Sequence, residues 1–69
     1  MKADESTAKM LNEYAGEEGT VENIKGTYYY FGSELACLRL VNKYRWCKFA
    51  YSGYSKNLKT FYFSLEPQF

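Results

Sequence analysis

Few side chains in this sequence could do chemistry, and the usual catalytic and metal-binding types are scarce. The chain has no histidine, and its two cysteines lack the further nitrogen or sulfur ligands that a structural zinc site needs. Without histidine there is no ordinary general base near neutral pH, and the only aspartate, Asp4, lies near the start of the chain. We therefore expect a protein that is not an enzyme and that uses no metal or cofactor.

Aromatic and basic side chains are more informative, because they make up much of the second half of the chain. Aromatic rings on a sheet can stack on nucleic-acid bases while arginine and lysine contact phosphates, and the same residue types form hot spots at protein interfaces. The predicted contact surface comprises Tyr28, Tyr30, Arg39, Tyr44, Trp46, Lys48 and Tyr62.

Charge is distributed unevenly along the chain. Residues 1–25 contain three lysines and six acidic residues, a net charge of −3, whereas residues 26–69 contain six basic and two acidic residues, a net charge of +4. This asymmetry is typical of a nucleic-acid surface, but an acidic helix packed on a basic sheet produces the same distribution.

The elements that position these side chains begin with a helix over residues 4–15. Asp4 or Ser6 can cap its start, and Gly16 can end it in a left-handed conformation. The apolar positions recur with helical spacing, and they are Thr7, Met10, Leu11, Tyr14 and Ala15.

After a polar link at residues 16–26, the composition favours β-structure. Turn-forming residues at short intervals separate four predicted strands, at about 27–31, 35–41, 44–51 and 58–65. The connections are too short for parallel crossovers. The sequence therefore predicts one α+β domain, residues 1–69, in which an N-terminal helix packs on a four-stranded antiparallel β-meander.

The two faces of this predicted sheet are assigned from charge and from the tyrosine hydroxyl. Arg39 and Lys48 share one face of a hairpin, and burying them unpaired would cost several kcal/mol, so that face is predicted to be open. Phenylalanine has no hydroxyl to satisfy, so Tyr29 and Phe31 are predicted to point inward and Tyr28 and Tyr30 outward.

The last strand is predicted to lie at the border of the sheet. Residues 60–65 carry no charge that would discourage pairing with another strand. A homodimer through this edge, or the addition of a partner's strand, is therefore expected.

The expected function is inferred from the scarcity of catalytic and metal-binding residues and from the predicted open face of the sheet. A 69-residue chain holds one small domain, and it shows neither an N-terminal signal peptide nor a membrane-spanning run, so a cytoplasmic location is expected. We expect a non-enzymatic binding protein, an accessory or inhibitor protein of phage or mobile-element type, that contacts a protein partner through its sheet face or edge strand. The alternative is a small nucleic-acid-binding protein that uses the basic aromatic face.

Overall fold

The structure, a computed structural model, describes residues 2–66 and contains two helices and four strands. In chain order they are α1 (Glu5–Ala15), β1 (Thr20–Ile24), β2 (Thr27–Gly32), α2 (Glu34–Lys43), β3 (Ala50–Ser55) and β4 (Thr60–Leu65). The strands form one antiparallel sheet in the order β1-β2-β4-β3. Both helices pack on the same face of this sheet, and the core lies between the two layers.

Helix α1 is confirmed together with its two caps. The side chain of Asp4 accepts a hydrogen bond from the backbone N–H of Thr7 at 3.0 Å. Gly16 ends the helix at φ 71°, a left-handed conformation that glycine adopts without steric cost. Of the predicted apolar stripe, Leu11 and Ala15 are fully buried, whereas Met10 and Tyr14 are exposed.

The predicted link over residues 16–26 contains a strand, β1, and this part of the prediction is wrong. β1 pairs with β2 through a two-residue turn in which Lys25 and Gly26 both have positive φ, 53° and 88°. This geometry matches the twist of the flanking strands, which is why such turns close hairpins.

The segment predicted as a strand at 35–41 is helix α2, and the strand predicted at 44–51 begins only at Ala50. Ser33 caps the helix, because its hydroxyl oxygen accepts the N–H of Ala36 at 3.2 Å. Ala36, Cys37 and Leu40 are buried along one side, so the short apolar run follows the helical period and not the period of a strand.

The core includes a tyrosine that the structure accommodates closely. Tyr30 is fully buried, and its hydroxyl donates to the carbonyl of Glu17 at 2.8 Å. Gly19 and Gly32 leave room for its ring, since an added Cβ at either position would come within 2.6 Å or 2.7 Å of a ring atom. The whole set of buried residues is Leu11, Ala15, Val21, Tyr30, Ala36, Cys37, Leu40, Tyr44, Phe63 and Leu65.

The predicted α+β class, with an N-terminal helix against a four-stranded antiparallel sheet, is confirmed, but two details differ. A second helix connects β2 to β3, so consecutive strands are not all neighbours. As a result β4 lies inside the sheet, between β2 and β3, and the prediction that it forms the border is wrong. The two edges are β1 and β3.

Candidate protein-binding surface

The face of the sheet opposite the helices carries a cluster of aromatic rings. Directly paired residues point to the same side of an antiparallel sheet, and the buried pair Tyr30 and Phe63 marks the helix side. The alternate positions therefore point away from the helices. The aromatic residues among them, here called the aromatic patch, are Tyr29, Phe31, Tyr51 and Tyr62.

The rings of the aromatic patch contact one another in a continuous row. The ring centroid of Tyr29 is 6.2 Å from that of Phe31 and 6.5 Å from that of Tyr62. Tyr62 in turn lies 6.2 Å from Tyr51, whose side chain is 60% exposed. These distances are in the range of favourable aromatic pairs, so the patch is a preformed apolar surface.

Gly53 makes room for the Tyr62 ring beside β3. A Cβ at this position would lie 2.9 Å from the hydroxyl oxygen of Tyr62, so the tyrosine ring extends over the glycine backbone. Because Gly53 has no side chain, the Tyr62 ring of β4 can lie directly over the backbone of β3.

The strand residues around the aromatic patch are almost uncharged. Threonine and serine occupy most of the remaining positions on this face, and Glu22 is the charged residue among them. No lysine or arginine of the four strands points to this side. The face can therefore offer ring surfaces and hydroxyls, but it lacks the cations that phosphate groups require.

The structure places the predicted tyrosines of β2 on the wrong side for this surface. Tyr28 and Tyr30 point toward the helices, and the prediction that they face outward is wrong. Both hydroxyls have partners within the protein: that of Tyr28 donates to the exposed Asp4 carboxylate at 3.4 Å, and that of Tyr30 donates to the backbone carbonyl of Glu17. Of the predicted tyrosines, Tyr62 lies on the open face.

The other predicted contact residues are not strand residues. Arg39 lies on α2, and its guanidinium donates to the carbonyl of Ala15 at 3.2 Å, where it satisfies the end of α1. Tyr44 follows α2 and is buried, with its ring 5.9 Å from that of Phe63. Trp46 is 76% exposed and Lys48 is exposed, but both lie in the turns before β3. The structure therefore does not combine them with Tyr62 into one sheet surface.

Sequence reasoning missed Tyr29, Phe31 and Tyr51. Residues 28–31 are all aromatic, so their side-to-side alternation could not be read from hydropathy. The signal that could have located the inward tyrosine is the pair of glycines, Gly19 and Gly32, that leave space for one large ring.

Hydrogen bonds and burial shift the pKa of several ionisable groups of the fold. Hydrogen bonds from the Ser33 hydroxyl, at 2.7 Å, and from its backbone N–H lower the pKa of the Glu17 carboxyl. Burial raises the pKa of the Cys37 thiol. Within residues 2–66, no three histidine, cysteine or acidic side chains are placed to hold a metal ion.

Neither helix of the described part of the chain is long and apolar enough to cross a membrane. Comparisons of the chain with protein-family models, with curated proteins and with solved structures gave no match.

Proposed function

We propose that this chain is a small non-enzymatic binding protein that contacts a partner protein through the aromatic patch. The observation that supports the proposal is a continuous row of four rings on a sheet face that no helix of the described chain covers. Three of these residues are half-buried against one another and Tyr51 is exposed. Apolar patches that no other element covers mark interaction sites, and tyrosine is prominent among interface hot spots.

The chemistry of the face favours protein over nucleic acid. Stacking on bases needs nearby cations for the phosphates, and the strand residues of this face include Glu22 and no lysine or arginine. A partner with an apolar centre and a polar rim matches the rings and the surrounding threonine and serine hydroxyls. Acting as an accessory protein or inhibitor requires nothing more than covering a partner's surface in this way.

The test compares two half-buried tyrosines at the centre of the aromatic patch with two exposed leucines on α2. Tyr29→Ser with Tyr62→Ser removes the centre of the aromatic patch, whereas Leu35→Ser with Leu38→Ser changes the exposed side of α2, where these leucines are 59% and 52% exposed. A partner is first recovered from native lysate with the unchanged chain and identified by mass spectrometry. Its affinity for each variant is then measured with purified components.

We expect the tyrosine variant to bind the partner at least tenfold more weakly, because each hot-spot ring contributes about 2 kcal/mol. The leucine variant should bind as well as the unchanged chain, and both should keep a cooperative melting transition. Equal binding by the tyrosine variant contradicts the proposal. So does salt-dependent binding of oligonucleotides that competes with the partner.

A further inference from the structure

The edge of β3 carries backbone groups that have no strand to pair with. Glu66 donates its N–H to the carbonyl of Phe49 at 3.3 Å, which identifies these two as a hydrogen-bonded pair of the β3–β4 ladder. Because such pairs alternate, the N–H and C=O groups of Ser52 and Tyr54 point away from β4, toward the free edge.

The other edge of the sheet shows how this fold uses such groups. At β1, the N–H of Ala3 donates to the outward carbonyl of Val21 at 3.5 Å, and Lys2 forms a β-bridge with Glu22. A short extended segment of the chain thus lies along β1. No segment of residues 2–66 lies along the outer edge of β3, and β3 has no proline, bulge or charge that would discourage pairing.

The β3 edge has a defined charge pattern. The strand itself, AYSGYS, is uncharged, and exposed lysines flank it at Lys48 and Lys56. The sequence has no acidic residue between Glu34 and Glu66, and this stretch contains six basic residues. A strand added here therefore meets a neutral centre with a positive charge at each end.

A second copy of the chain would bring a strand with the same flanking lysines, and so more positive charge, to this edge. If two β3 strands paired antiparallel with Ser52 opposite Ser52, Lys48 of each copy would lie opposite Lys56 of the other. Both lysines lie in turns just outside the strand, so these like charges would face each other at the two ends of the shared ladder and weaken the pairing. A segment with carboxylates at these two places has the complementary charge.

We infer that the β3 edge binds an extended segment of a partner protein whose acidic residues, about eight positions apart, lie opposite Lys48 and Lys56. The main-chain groups of Ser52 and Tyr54 supply the hydrogen bonds, and the lysines select the acidic ends. The inference rests on the proposed function in that the partner is a protein, but it uses the edge and not the aromatic patch.

The test uses two synthetic peptides and the isotopically labelled full chain. Each peptide has nine residues, with seven alternating threonines and valines between two glutamates or between two lysines. Alternate backbone nitrogens are methylated so that the peptide can pair along one edge only. Amide chemical shifts and hydrogen exchange report which residues the peptide contacts.

We expect the glutamate peptide to slow amide exchange at Ser52 and Tyr54 several-fold and to bind at least tenfold more tightly than the lysine peptide at low salt. The preference should shrink as salt rises, because these lysines are exposed. Ser52→Pro removes one edge N–H and should weaken binding at least tenfold, since an edge strand tolerates proline where its N–H faces solvent.

A charge-reversal variant keeps the test decisive if Ser52→Pro does not fold. Lys48→Glu with Lys56→Glu should reverse the preference, so that the lysine peptide binds more tightly. The inference is overturned if both peptides bind equally or if the chemical-shift changes fall on Tyr29 and Tyr62. It is also overturned if light scattering shows that the chain alone is a dimer and amide exchange shows that Ser52 and Tyr54 are protected in that dimer. The serine variant of the aromatic patch should still bind the glutamate peptide, so failure of this edge is distinguishable from failure of the proposed function.

Discussion

Tyr29 and Tyr30 are neighbours in β2, yet they lie on opposite faces of the sheet and have different surroundings. Tyr30 is fully buried between two glycines, and its hydroxyl has a fixed partner in the Glu17 carbonyl. Tyr29 packs against other rings on the open face, and its hydroxyl has no protein partner within the described residues. The same type of side chain therefore stabilises the fold on one face and is available for contact on the other.

The largest test of this difference compares two aromatic residues that are adjacent in β4. Phe63→Ala should destabilise the fold by about 3–5 kcal/mol, because the side chain is fully buried and its loss leaves a cavity. Tyr62→Ala, on the open face, should cost less than about 2 kcal/mol. Urea denaturation of both variants measures the two values, and equal losses would mean that the aromatic patch is part of the core.

A smaller difference is expected between two glycines. Gly19→Ala places a Cβ 2.5 Å from the backbone oxygen of Phe31 and 2.6 Å from the Tyr30 ring, neither of which can move freely, so we expect a loss of about 1–3 kcal/mol. Gly53→Ala meets the end of the Tyr62 side chain, which can swing into solvent, and should cost less than about 1 kcal/mol. Thermal melting of the two variants provides the comparison, and a larger loss at Gly53 would contradict it.

The smallest expected effect separates the two tyrosine hydroxyls. Tyr30→Phe leaves the Glu17 carbonyl without its donor and should cost about 1 kcal/mol at neutral pH, whereas Tyr29→Phe should change stability very little.

The same pair of variants has a signature at high pH. Burial raises the pKa of Tyr30 from 10.0 to about 12, so the folded state favours the neutral hydroxyl. Its contribution to stability is fully present below the unfolded value and is lost as pH rises from 10.0 to about 12. Urea denaturation across this range should show a steeper loss for the unchanged chain and for Tyr29→Phe than for Tyr30→Phe. Parallel curves for all three would contradict the assignment.

Local signals in the sequence predicted the elements where several of them agreed. For α1, the cap at Asp4, the stop at Gly16 and the buried Leu11 all indicate one helix, and this prediction is confirmed. The aromatic and β-branched residues of β2 and β4 favour the pleated surface of a sheet, and both predicted strands are confirmed.

The remaining predictions failed where the local signal was ambiguous or where the deciding contact is distant in sequence. The apolar pattern from Leu35 to Val41 fits a helix and a strand equally well. In the structure this segment is helical and packs against the sheet and α1. The inward position of Tyr30 depends on the space beside Gly19 and on a hydrogen bond to the carbonyl of Glu17. Both residues are distant from Tyr30 in the sequence, so local sequence patterns do not indicate these contacts. The position of the aromatic patch depends on that assignment.

The strand order has a consequence for the path by which the chain folds. β1 with β2, and β3 with β4, are two hairpins whose pairing needs only short loops to close. The central pairing of β2 with β4 joins residues as distant as Tyr30 and Phe63, with α2 between them. Loop-closure entropy rises with the length of the loop, so joining the hairpins takes more conformational freedom from the chain than forming either one. The step that sets the folding rate is therefore expected to be the docking of two preformed hairpins along the middle of the sheet.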